Sequence, residues 1–425
     1  MYKRYERYKD SGIEWIGEIP EHWETKSFRN LIQFLRNGTT ASQSDEAMYM
    51  VTRIESISNG YIDINSVGYI DKFNGIEKYK LEKGDVLFSH INSLKIVGNC
   101  AIFEYDNLEM FNGMNLLQIR ATNNTCSRWL YYLIKSYYFN QKIKAIAKHA
   151  INQVSVPTSR IKSIEVIAPV LDEQKAIANF LDHKTSEIDS LIADKEKLIE
   201  RLEEYKQSII TEAVTKGLNP DVKMKDSGIE WIREIPEHWS ILSLKRLARF
   251  KSGDSISSDE IESEGEYPVY GGNNIRGYTT SYTHDGNYIL IGRQGALCGN
   301  INYANGKFWA SEHAVVVYPL NNIATKWFGE LLRIMDLNKY SISAAQPGIS
   351  LDNIVQLPIP VPPVKEQYEI ANYLDNEFYS IDSLINKVKD AINKLKQHRQ
   401  SLIYEAVTGK IDVREYEPER SEQLA

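Results

Sequence analysis

Residues 173–215 read EQKAIANFLDHKTSEIDSLIADKEKLIERLEEYKQSIITEAVT, and residues 366–408 read EQYEIANYLDNEFYSIDSLINKVKDAINKLKQHRQSLIYEAVT. The two stretches share EQ, an IAN-aromatic-LD core, IDSLI and EAVT in one register, at an offset of 193 residues from Glu173 to Glu366. Each is entered through proline (Pro169; Pro362 and Pro363) and runs without glycine or proline to Gly217 or Gly409. Proline at entry and glycine just past the end are start and stop signals of a helix. A helix of about 40 residues is ~60 Å long, longer than an ordinary compact domain requires. In the first, Ile177, Leu181, Lys184, Ile188, Leu191, Lys195, Leu198, Leu202, Tyr205 and Ile209 follow alternating steps of four and three. In the second, Ile370, Leu374, Glu377, Ile381, Leu384, Val388, Ala391, Leu395, His398 and Leu402 do the same. This heptad pattern predicts that the two helices pair as an antiparallel coiled coil. The alternative is that each packs only on its neighbouring domain.

A second repeat precedes each helical stretch. Lys9 to Trp23 read KDSGIEWIGEIPEHW and Lys225 to Trp239 read KDSGIEWIREIPEHW, differing only at Gly17 against Arg233, with an offset of 216. The two offsets differ by 23, so the second middle region is shorter by that much. The middles, about 24–157 and 240–356, share no obvious run of identity. Similar ends with dissimilar middles signal one repeated physical job and two different targets. Trp15, Trp23, Trp231 and Trp239 read as apolar anchors that pin the chain as it enters each domain. If the halves are related by a pseudo-two-fold axis, the first tag should lie beside the end of the second helix.

Both middles read as short strands and glycine turns followed by a helix. In the first these are Gly60 to Asn65, Lys83 to Ser89 and Val97 to Phe103, then a helix from Ser127 to about Ala147. In the second they are Tyr267 to Asn274, Asn287 to Gly295 and Ala314 to Pro319, then a helix from Thr325 to about Asn338. The fold expectation is α+β. Two mixed α/β recognition domains are separated by two long antiparallel helices that form a coiled coil with pseudo-two-fold symmetry. The boundaries are 1–157 for the first domain with its tag, 158–222 for the first long helix, 223–357 for the second domain with its tag, 358–411 for the second helix, and 412–425 for a polar tail.

The tag SGIEWIGEIPEHW, the P-x-x-x-E-Q helix start and the ending EAVTKGL together resemble the specificity subunit of type I restriction-modification enzymes. The stretch YPVYGGNNIRGY…DGNYILIGRQGALCGNINYANGKFW resembles one common target-recognition domain of that family. The resemblance covers nearly the whole chain apart from the polar tail. It implies a subunit whose two variable regions each read a few base pairs of a split, asymmetric double-stranded DNA target. The paired helices would dock two methyltransferase subunits, and restriction (motor-nuclease) subunits would join that core. It also implies that S-adenosylmethionine, ATP and Mg are bound by those partners and no cofactor by this chain. The alternative is a non-DNA coiled-coil scaffold or regulatory adaptor with the same architecture.

Charge bears on this independently. The net charge is +3 over residues 24–157 and −1 over 240–357, against −1, −5 and −3 over 1–23, 158–239 and 358–425. A chain of net charge −7 is a poor non-specific DNA binder, because that mode rests on neutralising phosphates. This points to DNA binding within a complex. Base edges are read by forked donors and amides, Arg to guanine and Asn or Gln to adenine. In the second region the candidates are Arg293 on a tight turn after an apolar strand, and Asn273, Asn274 and Arg276 in a glycine-rich loop. Glycine turns also favour Asn for left-handed backbone. Lys245, Arg246, Arg249 and Lys251 form a basic run suited to phosphates, and Gln346 lies where the chain returns to its long helix. In the first region the candidates are Lys26, Arg29, Arg36, Arg53, Asn92, Lys95, Lys142, Lys144, Asn152 and Gln153, with Lys148 and His149 between the last four. The helix-pairing set is Ile177, Leu181, Ile188, Leu191, Leu198, Leu202, Ile370, Leu374, Ile381, Leu384, Val388 and Leu395.

Other classes find no foothold. There is no G-x-x-x-x-G-K-[ST] loop for a nucleotide phosphate and no Asn/Asp-Pro-Pro-aromatic tetrapeptide of amino-methyltransferases. The eight histidines show no zinc spacing, so no metal site and no catalysis by this chain alone are expected. Cys100, Cys126 and Cys298 are widely spaced and read as free thiols. No apolar run approaches the ~18 residues of a membrane span, and the N-terminus lacks an apolar signal core, so no membrane partner and a cytoplasmic location are expected.

Overall fold

The echoed stretches are two long helices, Leu171–Lys216 and Val364–Val407. Both end on glycine in the left-handed region, Gly217 at φ +77° and Gly409 at φ +70°, where a β-carbon would be strained. After the second helix the Lys410 N–H donates to the Glu405 carbonyl at 2.8 Å, which closes the last turn. The computed structural model describes residues 2–418 apart from Trp15, Asp45, Asn59, residues 151–152, Ala296 and residues 342–347. Packing divides the chain into two compact units: residues 1–194 with 390–425, and residues 195–389. Each long helix therefore contributes one stretch to each unit.

Within each unit the two helix stretches run antiparallel. In the first unit Arg399 pairs with Asp189 at 2.9 Å, and His183 near the start of the first helix meets Tyr416, beyond the end of the second. In the second unit Lys206 pairs with Asp382 at 2.7 Å, and Gly217 at the end of the first helix abuts Glu366 at the start of the second. Asp189 and Asp382, like Lys206 and Arg399, are 193 residues apart. The two ion pairs are therefore counterparts with donor and acceptor helices exchanged.

The buried face of the helices departs from the strict heptad reading. Ile177, Leu181, Ile188, Ile370, Leu374, Ile381 and Val388 are buried, and Leu202 and Leu395 are half-buried. Leu191, Leu198 and Leu384 are exposed, and Ile192, Ile385 and Ile392 are buried instead, with Ile199 half-buried. An alternating 4-3 pattern averages 3.5 residues, whereas a straight α-helix turns every 3.6 and drifts ~20° per heptad. The observed face steps from Ile177 through Leu181, Thr185, Ile188 and Ile192, adding a second step of four that absorbs the drift.

The two middles share one topology. The first unit has a four-stranded sheet in the order Ile32–Asn37, Leu116–Ala121, Val86–Ser89, Cys100–Ile102, with all neighbours antiparallel. The second has Ala248–Ser252, Ala314–Pro319, Tyr288–Gly292, Ile301–Ala304 in the same order. Beside it, Met110–Phe111 runs parallel to Tyr49–Val51, and Lys307–Ala310 runs parallel to Tyr267–Tyr270. A helix closes each sheet, Ser127–Lys135 or Thr325–Ile334, with Trp129 or Trp327 wholly buried. The apolar core of the second unit is continuous from tag to sheet to helices, through Ile235, Trp239, Val317, Trp327, Leu374 and Ile385.

Each tag is a hairpin, Tyr8–Asp10 with Glu18–Pro20 and Met224–Ile229 with Ile232–Pro236. The first tag lies at the end of the second helix, as pseudo-symmetry requires. The Lys410 ammonium donates to the Ile16 and Glu18 carbonyls at 2.8 and 2.6 Å, and the Tyr8 hydroxyl donates to the Gly409 carbonyl at 3.1 Å. Trp23 and Trp239 are buried and Trp231 half-buried, while Trp15 lies outside the described residues.

Two measurements check this packing. Ile192→Ala should lower unfolding stability by about 2–3 kcal/mol, whereas Leu191→Ala should cost under about 0.5 kcal/mol, read as denaturant midpoints. Lys135, half-buried at the end of its helix, donates to the Tyr131 hydroxyl at 2.5 Å, and burial together with the nearby Arg399 pushes its amine down to about 8. Below that pH the folded state carries a penalty that the unfolded chain does not. The penalty is relieved as pH rises from about 8 towards the ordinary lysine value of 10.5. The unfolding midpoint of the first unit should therefore rise over that range, and Lys135→Met should raise it at pH 7 and flatten the slope.

Candidate nucleic-acid interface and the frame that holds it

The glutamate and glutamine that open each long helix have distinct jobs. Gln174 and Gln367 are both buried. The Gln174 amide donates to the Pro169 carbonyl at 2.9 Å and accepts the Cys126 N–H at 2.8 Å; Gln367 donates to Pro362 at 3.0 Å and accepts Ala324 N–H at 3.3 Å. Cys126 and Ala324 are the cap positions of the short helices, and neither side chain makes a capping bond. The glutamine supplies the missing acceptor for a terminal N–H, fixing the short helix on the long one. Two turns further along the long helix, Arg128 pairs with Asp182 at 2.5 Å and Lys326 with Asp375 at 3.5 Å; the aspartates are counterparts at an offset of 193 and the cations stand at the same place in the two short helices.

The glutamate holds the tag. Glu173, 4% exposed, accepts from the Tyr5 hydroxyl at 2.6 Å and the Trp23 indole at 3.0 Å, and pairs with the His22 ring at 2.9 Å. Glu366 receives the Trp239 indole at 3.1 Å and pairs with His238 at 2.9 Å. Burial and the Glu173 hydrogen bond raise the Tyr5 phenol well above its ordinary range, so it stays a donor. The E-H-W and E-Q partners thus tie tag, long helix and short helix together in each unit.

On this frame the second unit assembles a loop cluster. Arg293 follows the strand Tyr288–Gly292; its N–H donates to the His313 carbonyl at 2.9 Å and its carbonyl accepts the Ile349 N–H at 3.0 Å. The backbone is held on both sides while the side chain is half-exposed. A β-carbon on Gly292 would fall 2.0 Å from the Gly272 carbonyl, so glycine lets the 271–274 loop lie against it. That contact brings exposed Asn273 and Asn274 beside Arg293. Asn273 accepts from the Asn300 amide at 3.0 Å, and Asn274 has φ +61°, the left-handed backbone that an asparagine in a glycine turn tolerates. Arg276 is exposed, its stem against Gly271.

The basic run is more dispersed. Arg249 and Lys251 project from the exposed face of the edge strand, and Lys251 is level with Val316 and Leu290, toward the loop end. Lys245 donates to Gln356 at 2.7 Å on the connection to the frame, and Arg246 is exposed beside it. Gln346 lies outside the described residues.

In the first unit a small sheet gathers a different set. Gln153–Ser155 pairs with both Lys148–Ala150 and Ile91–Asn92; the register puts Lys148 and Gln153 on one face and Asn92, level with Val154, on the other, with exposed Lys95 in the turn that follows. Asn152 lies outside the described residues. His90 occupies the station of Arg293: its carbonyl accepts the Val156 N–H at 2.9 Å just as Arg293 accepts Ile349. The His90 ring is buried, and burial lowers its pKa, so this station presents no cation.

The remaining candidates are not in that cluster. Arg36 is held by Gln118 at 3.0 Å and over the Phe34 ring at 3.9 Å, where burial and then Arg120 push its pKa down. Arg53 bonds Gln43 at 2.5 Å. Lys26 pairs with Glu24 and Arg29 with Ser27, on and just after the strand Glu24–Ser27 that joins the frame. Lys142 and Lys144 are half-buried on the helix Tyr137–Ile146.

Sequence reading passed over Gln294, whose side-chain oxygen is 3.2 Å from His313, itself 3.1 Å from Glu312. The available signal was its place beside Arg293 in Gly-Arg-Gln-Gly, two forked side chains in one glycine turn. Among the described residues no group of three or more His, Cys, Asp or Glu side chains is placed to hold a metal ion, and no helix is long and apolar enough to cross a membrane.

Comparison with known proteins gives one answer at several levels. The family model of the type I restriction modification DNA specificity domain matches twice, at residues 20–201 and 236–394. A protein of Methanocaldococcus jannaschii assigned as the MjaX type I restriction enzyme specificity subunit is 34% identical over 424 residues, covering 94% of this chain and 96% of that one. The EcoprrI type I restriction enzyme specificity subunit of Escherichia coli is 40% identical over 152 residues, 35% of this chain and 37% of that one. Among solved structures, a chain from a type I R-M system superposes with a TM-score of 0.71 at 16% identity, covering 92% of this chain and 98% of that one. The HsdS subunit from Thermoanaerobacter tengcongensis gives a TM-score of 0.51 at 18% identity, with the same two coverages.

The two frame carboxylates should differ in weight. Glu173→Ala leaves a phenol, an indole and a histidine without their acceptor in a buried site and should cost about 3 kcal/mol. Glu366→Ala, with two partners and more solvent, should cost about 1–2 kcal/mol. Thermal or denaturant unfolding of the two variants measures the difference, and equal losses would contradict this ranking.

Proposed function

Since the chain belongs to the type I restriction-modification DNA specificity family, we propose that its two units read the two halves of a split, asymmetric double-stranded DNA target. It is the specificity subunit of a type I restriction-modification system. The observation that carries the reading is one sheet topology presenting chemically different loops. Arg293, Asn273, Asn274 and Gln294 cluster in the second unit; in the first, Lys148 and Gln153 share a face of a small sheet whose neighbouring strand and turn carry Asn92 and Lys95. Arginine and the amides are the side chains that discriminate base edges in the major groove, so two such sets on one frame suit two different half-sites.

The long helices carry the partners in this reading. Leu191 is 50% exposed in the first unit, and Leu198 and Tyr205 are 41% and 56% exposed in the second. Apolar residues held out of the pairing face at heptad spacing suit docking of further helices. We assign these faces to two methyltransferase subunits, with restriction subunits joining the same core. Methylation and translocation, with S-adenosylmethionine, ATP and Mg, belong to those partners in the cytoplasm, and the partners supply much of the phosphate grip that a chain of net charge −7 lacks.

Modified-base sequencing of DNA methylated by the assembled complex tests the reading. The expected target is two short specified blocks around an unread spacer. Arg293→Ala should relax one position of one block, at about 1–3 kcal/mol of discrimination, and leave the other block intact. A continuous target, or loss spread over both blocks, would overturn it.

A further inference from the structure

The two units differ at the corner where a long helix ends against its tag. In the first unit this corner is filled by both chain ends. Phe180, fully buried, has the Tyr2 ring edge-on at 5.1 Å and the Tyr416 ring edge-on at 4.8 Å. The Tyr416 hydroxyl bonds His183 at 2.6 Å, and the Lys184 ammonium lies 5.6 Å from the Tyr416 ring. Ile411 and Val413 are buried beneath the same tail.

In the second unit a single linker, residues 217–224, crosses the equivalent corner, and a groove of about 650 Å³ remains. Its wall is Tyr373, the counterpart of Phe180 at an offset of 193, which is 36% exposed where Phe180 has no exposure. Leu218, at 41% exposure, and Met224 belong to its apolar lining, with Ile209 and Val222. The electrostatics differ at one pair of positions, while Glu212 and Glu234 keep the counterparts Glu405 and Glu18. His183 and Lys184 become Asn376 and Glu377, and the groove carries Glu212 and Glu234 against Lys216. Among the described residues, none of the three glutamates has an ion-pair partner. Nearby Glu377 and Glu212 add to burial in raising the Tyr373 phenol, so that ring sits in an acidic field.

An aromatic shelf filled by tyrosines beside His183 and Lys184 in one copy of a repeat, and left open without those cations in the other, defines what should fill it. We propose that this groove seats a tyrosine or phenylalanine flanked by lysine or arginine, on an extended segment of a partner subunit. That segment stacks on Tyr373 as Tyr416 stacks on Phe180, with its cations against Glu212, Glu234 and Glu377. The assignment rests on the reading of the chain as a subunit of a multiprotein complex.

The test places a benzophenone amino acid at Leu218 in the full chain, purified with its methyltransferase subunit. After irradiation, the cross-link is mapped by mass spectrometry. The expected cross-link falls on the methyltransferase subunit within a segment bearing Tyr or Phe beside Lys or Arg. A cross-link to residues 1–8 or 412–425 of the same or a second copy, to a partner segment without that chemistry, or to nothing would overturn the groove assignment. If no methyltransferase subunit co-purifies, the reading of the chain as a subunit falls as well, which separates the two failures. As a second measurement, the double variant Glu212→Lys, Glu234→Lys should weaken association by about tenfold and reduce its salt dependence, with the unfolding midpoint of the chain unchanged. Unchanged association would overturn the assignment.

Discussion

A carboxylate beside a buried amide, at the first turn of a long helix, is the constraint on which each unit depends. Glu173 and Glu366 receive an indole N–H from the tag, and Gln174 and Gln367 receive the first orphan N–H of the short helix that closes the sheet. Neither job can be done by an apolar side chain, because each leaves a buried donor unmatched. The pair sets where three elements meet. From that junction the sheets, the loops at their ends and the opposed helix faces take their positions.

The repeat is therefore a repeat of junctions more than of surfaces. Counterpart ion pairs, Asp189 with Arg399 and Asp382 with Lys206, exchange their helices between units, as two related halves must when each helix serves both. Between the junctions the sequence is free to change provided that strand order and the buried tryptophan survive. This explains how regions without visible identity keep one topology, and why a buried His90 can stand where the other unit presents Arg293.

What was legible in the sequence follows the same division. Helix ends, helix pairing and the place of the first tag were readable because glycine, proline and apolar spacing act locally or through strong periodicity. The choice between Leu191 and Ile192 was not, since both are apolar and one residue apart, and only the helix's true pitch decides between them. Among the loop candidates, Arg293 with Asn273 and Asn274 was legible from glycine turns that allow close backbone approach. That Arg36 and Arg53 are held by Gln118 and Gln43 was not legible, because folding brings those partners together. Gln294 was overlooked beside a more conspicuous arginine.

The division of the chain into one unbroken unit, residues 195–389, and one assembled from both ends has a bearing on birth at the ribosome. Domains emerge and fold from the N-terminus at roughly 5–20 residues per second, but the first unit lacks its Arg399 partner and its Tyr416 cover until the second unit has been made. The second unit, though later in the chain, has all its own residues sooner after its start. During synthesis Glu173 meets Tyr5, His22 and Trp23 as soon as it emerges, whereas one side of Phe180 stays uncovered until Tyr416 has been made, after the whole of the second unit.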